Sequence, residues 1–405
     1  MTEELKLDWV VVERAAPSYY GRPQMPGAVI LEYGNAELAA VTEMVTTSRV
    51  ETMTVEQATE TAAAENVLAV AIDMPLMLIK SVTTESAEEP AEDDAWGISA
   101  VGVTGGYTGK GTTVAVLDTG IDANHPAFAG VEIIQRNFTN GPDEDEDGHG
   151  THCAGTIFGR DVGGRRIGVA RGVDRALIGK VIGGSNGGST QTLVKAVMWA
   201  QSMGADVISM SLGMDFPGFQ DNLVKRDGLA QREATSIALE AYRLNFEMFD
   251  KLSQTVLGIP GLVSGSVVVS AAGNESKMPT YSIAASPPSN SVEFISVAAV
   301  TPQAGGGFAL ASFSNVNAKL AAPGTRILSA APGGGLVRMN GTSMAAPHVA
   351  GVACLWYEKL RQGGGNPAAS EVIEAMRGSA LPLKPGIPEK LVRWGLARAP
   401  QSEVG

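Results

Sequence analysis

Four short stretches of this 405-residue chain concentrate the side chains able to do covalent chemistry. Gly341-Thr342-Ser343-Met344-Ala345-Ala346-Pro347-His348-Val349-Ala350-Gly351 sets Ser343 at the head of an alanine-rich apolar helix. A hydroxyl there meets a helix N-terminus that favours developing negative charge and a free backbone N–H that can donate to an oxyanion. By itself the stretch reads equally as a helix-capping serine. A nucleophilic serine needs a base, and all four histidines (His125, His149, His152, His348) fall within three short motifs. Asp147-Gly148-His149-Gly150-Thr151-His152-Cys153-Ala154-Gly155-Thr156 opens a helix of small residues on His149. His149 and His152, at i and i+3, could also ligate a metal beside Asp147, but no third histidine or cysteine cluster completes a zinc site. Asp118 closes the apolar run Val116-Leu117, where a carboxylate can hold an imidazole in one tautomer; a strand-end turn is the plainer alternative. Asn274, in Ala271-Ala272-Gly273-Asn274-Glu275-Ser276, also follows an apolar strand and can aim its amide at an oxyanion, or serve a turn. Serine, base, acid and amide donor together are the parts of nucleophilic acyl transfer.

These residues need a scaffold, and the apolar pattern supplies one. From about residue 95 onward, short buried strands (Thr113–Leu117, Val207–Met210, Val267–Ser270, Phe294–Val297) alternate with helices at Thr190–Met203 and Ala230–Leu257. This alternation predicts an α/β fold, a doubly wound, mostly parallel sheet flanked by helices. Ligands of such sheets sit beyond the carboxyl ends of the strands, where Asp118, Ser211 and Asn274 all fall. Ahead of it, Val29–Tyr33, Val67–Ile72 and Leu76–Ile79 read as strands and Ala36–Val45 and Val55–Glu65 as helices. They suggest a small α+β, ferredoxin-like domain over 1–82. The acidic stretch 83–94 reads as an exposed linker, leaving 95–405 as the large domain.

Composition narrows the options. Hydrophobic residues at 44% and charged residues at 18% suit a globular chain. A net charge of −13 argues against a nucleic-acid partner, because phosphates would be repelled. Two cysteines, Cys153 and Cys354, make no disulfide framework. No apolar run approaches the ~18 residues of a membrane span, so no membrane partner is expected. The acidic first residues lack a secretory-signal pattern, so the expected location is cytoplasmic.

Asp-Thr-Gly, His-Gly-Thr-His, Ala-Gly-Asn and Gly-Thr-Ser-Met-Ala-Ala-Pro-His, in this order, resemble the four signature blocks of the subtilisin-like (subtilase) serine peptidases. The order Asp, His, Ser is that of subtilisin rather than chymotrypsin. The resemblance runs from about Trp96 to Ala380 and implies an endopeptidase acting on protein or peptide substrates. It assigns Ser343 as nucleophile, His149 as general base and then acid, Asp118 as its orienting partner, and Asn274 with the Ser343 N–H as the oxyanion hole. Ser211-Leu212-Gly213 would pair with an extended substrate as an added strand. Ala272, Gly273, Ala284 and Ala285 would line the first specificity pocket, with Glu275 at its rim, leaving room for a medium or large apolar side chain.

Cys153 resembles the cysteine of the proteinase-K-like branch and is expected to be a buried free thiol, not a nucleophile. No cofactor is expected. The calcium site common in the family is doubtful, because His125-Pro126 is followed by Ala127 and Phe128, which carry no side-chain oxygen, and the loop Arg160–Arg166 adds cations. The acidic run Asp143–Asp147 could hold calcium elsewhere, but reads first as a solvated loop. Residues Asp215–Val256 exceed the small secreted members and are expected to pack, or to wall the cleft. The N-terminal domain resembles the family's inhibitory propeptide, with Lys80-Ser81-Val82-Thr83 laid through the cleft; a permanently attached accessory domain is the alternative. Two rival functions remain on the same fold, a peptide ligase and a catalytically silent binding module.

Overall fold

A computed structural model describes residues 5–14, 46–82, 96–184, 187–259, 263–383 and 391–401. The expected Val29–Tyr33 strand, Ala36–Val45 helix and acidic linker lie outside these residues. A nine-stranded sheet organises the large domain. Eight strands lie in the order Val392–Leu396, Ala318–Pro323, Ile295–Pro302, Val267–Ala271, Val207–Met210, Thr113–Asp118, Arg175–Lys180 and Glu132–Asn137. All neighbours in this row are parallel, and Phe308–Leu310 adds an antiparallel ninth strand beside Ile295–Pro302. The first strand in sequence, Thr113–Asp118, lies mid-sheet. The chain builds outward from it on one side through Arg175–Lys180 and on the other through Val207–Met210. That reversal opens a crevice between the carboxyl ends at Asp118 and Met210.

The strands are apolar on both faces because both are covered. Val114 and Val116 join one buried cluster while Ala115 and Leu117 join another, following the period-two alternation of a strand. The first cluster includes helices His149–Phe158 and Thr342–Gln362, and the second helices Thr190–Ser202 and Gln231–Leu257. In His149–Phe158 every residue is buried. A Cβ on Gly150 would sit 2.2 Å from the Gly120 carbonyl, so only glycine lets this helix approach the strand-end loop so closely.

The N-terminal part departs from its expected order. Strands Leu7–Arg14 and Thr46–Met53, not anticipated from the pattern, pair antiparallel, and Val67–Ile72 pairs with Leu7–Arg14 on its other edge. Trp9, Val10, Val11 and Val12 are consecutively buried, since both faces of the small sheet are covered. Helix Val55–Ala62, closed by a Thr54/Gln57 capping box, packs against this sheet. Helices Thr190–Ser202 and Gln231–Leu257 meet it from the large domain. Asn245 of the longer helix donates to the Ile72 carbonyl at 2.9 Å and accepts from Thr190 Oγ1 at 2.7 Å. The extra residues 215–256 therefore carry the surface on which the small domain rests.

One expectation is corrected here. Leu76–Ile79 was to close the small domain's own sheet. Instead Pro75–Leu78 leaves it and pairs antiparallel between Leu212–Met214 and Gly188–Ser189 of the large domain. Its backbone pairs with the large domain's strand edges, because Asp73 and Met74 already tie the chain to helix Thr190–Ser202: Gln191 N–H bonds Asp73 Oδ1 at 2.9 Å, and Thr190 N–H bonds the Met74 carbonyl at 2.9 Å.

Candidate active site

Asp118, the last residue of its strand, is 2% exposed and lies 2.7 Å from His149 Nδ1. The Thr119 N–H donates to the same carboxylate oxygen at 2.8 Å, fixing its orientation. Burial disfavours an imidazolium at His149, but the adjoining Asp118 carboxylate outweighs it and holds the ring well above the ordinary histidine range. The other three histidines are structural. His152 Nε2 bonds the Ile327 carbonyl at 2.9 Å, His348 Nδ1 the Met344 carbonyl at 2.8 Å, and His125 Nε2 the Gly335 carbonyl at 2.8 Å. Burial lowers His152 to about 3 and His348 to about 4, so both stay neutral.

Ser343 is fully buried on the first turn of its helix. Pro347, four residues on, has no N–H to return to the Ser343 carbonyl, so that carbonyl loses its helical partner. Two side chains replace it: Cys153 Sγ and Ser211 Oγ each lie 3.4 Å from the Ser343 oxygen. Cys153 is a buried free thiol whose ionisation burial pushes up, so it remains a protonated donor. Asp118, His149 and Cys153 are, among the described residues, the one trio whose donor atoms lie close enough to share an ion, within 4.8 Å. The position after His125-Pro126 does not fit calcium. Ala127 and Phe128 are buried and apolar, the Ala127 carbonyl accepts from the Arg160 N–H at 2.7 Å, and Asp161 pairs with Arg171.

Asn274 is aimed by its neighbours. Its Oδ1 accepts from the Thr342 N–H and from Thr342 Oγ1, both at 2.9 Å, which directs Nδ2 outward over the cleft. The loop carrying it hangs on Asn315, which is 1% exposed. Asn315 Oδ1 accepts from the N–H groups of Glu275 and Ser276 and from Ser276 Oγ, each at 3.1 Å. Its Nδ2 donates to the Ala272 carbonyl at 3.1 Å and to Glu275 Oε2 at 2.6 Å. Gly273 has φ 110°, and a Cβ there would meet Asn315 Nδ2 at 2.3 Å. Ala272 and Ala285 share one buried cluster behind this loop, while Ala284 is exposed and bridges to Val316.

Leu212–Met214 lies as a strand on the cleft floor, and the chain's own Pro75–Leu78 pairs with it. Leu212 faces Leu78, Gly213 faces Met77 and Met214 faces Leu76. Beyond the strand, the Ile79 N–H bonds the Ser211 carbonyl at 3.3 Å, Ser343 Oγ donates to the Ile79 carbonyl at 2.7 Å, and Asn274 Nδ2 donates to the Lys80 carbonyl at 2.9 Å. The strand-paired stretch is thus residues 75–78; of the Lys80–Thr83 tail expected in the cleft, Lys80 and Val82 bond Asn274 and Asn340 without strand pairing, and Thr83 lies outside the described residues. With the Ser343 hydroxyl turned to Ile79, buried His149 Nε2 has no hydrogen-bond partner.

Sequence reasoning passed over several residues of this site. Asn340 borders the cleft downstream of Ser343, Gly188–Ser189 forms the second wall, and Thr342 and Asn315 hold Asn274. Asn340 and Thr342 flank Ser343 closely enough that their polar types were a usable signal; Asn315, 41 positions from Asn274, gave none. Asp145 is a correction of another kind. It is not a solvated loop residue: buried, it accepts from Thr119 Oγ1 at 2.7 Å, the Gly148 and Thr151 N–H groups at 2.9 and 2.8 Å, and Thr151 Oγ1 at 2.6 Å. It locks the Asp118 loop to the start of the His149 helix.

Known proteins resemble this chain over its large domain. Residues 109–395 match the model of the subtilase family, peptidase group S8. A subtilisin-like protease 6 of Trichophyton verrucosum is 33% identical over 298 residues, spanning 71% of this chain and 63% of that protein. A subtilisin-like protease of Coccidioides posadasii is 34% identical over 253 residues, spanning 60% and 52%. The chain thus matches less than two thirds of the length of these relatives. Among solved structures, fervidolysin from Fervidobacterium pennivorans, described as a keratinolytic enzyme related to subtilisin, superposes with a TM-score of 0.64. That alignment covers 98% of this chain and 60% of the other at 22% identity, a likeness of fold.

Proposed function

Because the chain belongs to the subtilase family of serine peptidases, we propose that it hydrolyses internal peptide bonds of proteins through Ser343, His149 and Asp118, and that its N-terminal domain holds it latent. The observation that carries this reading is the course of residues 75–82, which enter the cleft as an added strand over 75–78 and then pass Ser343 at Ile79 and Asn274 at Lys80. A protein substrate would take the same place, pairing its backbone with Leu212–Met214.

In the reaction His149 Nε2 takes the Ser343 hydroxyl proton as Oγ bonds to the substrate carbonyl carbon. Asp118 holds the imidazole in the tautomer that leaves Nε2 free and balances the charge that forms on it. The oxygen, now negative, receives the Asn274 amide and the Ser343 N–H, one of the first-turn groups with no acceptor within the helix. His149 then returns its proton to the departing amine, leaving an ester on Ser343. Water, deprotonated by His149, cleaves the ester and restores the hydroxyl.

The test compares the full-length chain with protein freed of its N-terminal segment, using a fluorogenic peptide and intact-mass spectrometry. Latency before removal, hydrolysis after it, and silence in Ser343→Ala support the reading. A full-length protein that is intact and fully active rejects the inhibitory role, and turnover by Ser343→Ala rejects the nucleophile.

A further inference from the structure

The contacts of residues 77–82 cannot all belong to one substrate register. On the upstream side the strand pairing runs without interruption: Met77 lies opposite Gly213, Leu78 opposite Leu212, and the Ile79 N–H bonds the Ser211 carbonyl at 3.3 Å. This brings the Ile79 carbonyl to the nucleophile, with Ser343 Oγ at 2.7 Å. On the downstream side the register is one residue later. The Asn274 amide holds the Lys80 carbonyl at 2.9 Å. Val82 and Asn340 then exchange two bonds, Val82 N–H to the Asn340 carbonyl and Asn340 Nδ2 to the Val82 carbonyl, both at 2.9 Å. Attack requires that the carbon facing Oγ and the oxygen held by the amide belong to the same carbonyl. Here they belong to successive residues.

The surplus residue is taken up by a three-residue turn. The Lys80 N–H bonds back to the Leu78 carbonyl at 2.9 Å, a γ-turn centred on Ile79. Ile79 is buried at this turn while Lys80 and Ser81 are exposed, as expected of chain pushed out of an otherwise extended path. The nucleophile is affected as well. Its proton is given to the Ile79 oxygen, not to His149, whose Nε2 has no partner.

We propose that residues 79–82 are an out-of-register plug, one residue too long for the catalytic centre, so that the chain fills its own cleft without being cut there. This rests on the reading of the N-terminal domain as inhibitor and adds the reason why the inhibitor is not a substrate. Removing one residue would straighten the turn and bring the Ile79 carbonyl into the grip of Asn274 while Val82 keeps Asn340. Ser343 Oγ would then bond to the Ile79 carbon, the bond to the next nitrogen would break with a proton from His149, and water would release Ile79 as a new carboxyl terminus.

The experiment uses full-length protein in four forms: wild type, Lys80→Ala, a variant lacking Lys80, and a variant lacking Ser81. Intact-mass spectrometry and N-terminal sequencing follow each over time, with Ser343→Ala introduced into the shortened forms as a blank. Wild type and Lys80→Ala should show no cut between Ile79 and Val82. Each shortened form should be cut directly after Ile79 at least ~100-fold faster, the scale of one recovered oxyanion donor. Cutting of wild type at that place as fast as the shortened forms overturns the proposal. So does failure to cut in a shortened form that is folded and whose Ser343 reacts with a fluorophosphonate probe. Two different shortenings guard against one failing to fold, and wild type alone decides the matter if it is cut quickly there. The two readings fail separately: an intact wild type that hydrolyses peptide at full rate rejects inhibition, whereas a latent wild type rapidly cut at Ile79–Lys80 or Lys80–Ser81 rejects only the register.

Discussion

Replacing Asn315 by alanine should damage catalysis through a residue that never touches substrate. The side chain makes five hydrogen bonds, three accepted by Oδ1 and two donated by Nδ2, all within the loop that carries Asn274. Alanine leaves the Glu275 and Ser276 N–H groups and the Ala272 carbonyl without this partner in a site where Asn315 is 1% exposed. At about 1–3 kcal/mol for each buried group left unpaired, and with water able to enter at the Glu275 side, a loss of about 3–5 kcal/mol of stability is expected. Urea denaturation reads that loss. The catalytic effect follows from Asn274 losing its aim, so kcat should fall while KM holds, because Leu212–Met214 still pairs with substrate. Its ceiling is the effect of Asn274→Ala, about 100- to 1,000-fold, the range general for oxyanion donors of serine peptidases, subtilisin included. The decisive measurement is a double-mutant cycle on activated enzyme. If Asn315 acts through Asn274, adding Asn315→Ala to Asn274→Ala should cost less than about threefold more in kcat. Full multiplication of the two losses, or a folded Asn315→Ala with kcat within twofold of wild type, would refute the reasoning.

Three further outcomes follow from the site. His149 must be neutral to act as base, and Asp118 raises its pKa, so the acidic limb of kcat/KM should lie above the ordinary histidine value of about 6.5. In Asp118→Asn the carboxylate that raises the pKa is gone while burial, the largest influence, still lowers it; the limb should move to lower pH as kcat drops about 10,000-fold, and a limb that stays put in a pH–rate profile contradicts the pairing. Cys153 lies 3.8 Å from His149 Nδ1, so a small mercurial should inhibit by displacing the imidazole, while Cys153→Ala keeps most activity and loses the sensitivity; an inactive but folded Cys153→Ala would make the thiol catalytic. Asn245→Leu strands the Ile72 carbonyl at the docking surface and leaves the Thr190 hydroxyl only Met74 as partner, at about 2 kcal/mol. Fluorophosphonate labelling of Ser343 in the full-length chain should then speed up about 30-fold, and an unchanged rate would show that this contact does not hold the domain in place.

Much of the large domain was legible because its information is local. Val207–Met210 was read to its ends, and Thr113–Asp118 and Val267–Ala271 to within a residue, since strands buried on both faces must be short uninterrupted apolar runs. The candidate Asp118, His149, Ser343 and Asn274 stood out because each follows a strand or opens a helix inside a stretch of small residues, where side-chain types alone mark a tight approach. Strands Leu7–Arg14 and Thr46–Met53 escaped notice. The first is apolar on both faces only because helices from the large domain cover one of them, and Thr46–Met53 carries hardly any buried side chain.

What sequence determined by itself was the set of reactive groups, their order and the sheet that presents them. Tertiary structure decided which polar groups satisfy one another across long separations: Asn315 with the Asn274 loop, Asp145 with the His149 helix, Thr342 with Asn274. It also decided that Pro75–Leu78 belongs to the cleft and not to its own domain. An apolar strand of four residues states only that it needs hydrogen-bonding edges on either side. Which edges are free depends on how far the preceding domain has been carried by its docking on helices Thr190–Ser202 and Gln231–Leu257, and no local pattern encodes that distance. The one-residue surplus at Ile79 is of the same kind, a mismatch between two anchor points that exists only once both are fixed in space.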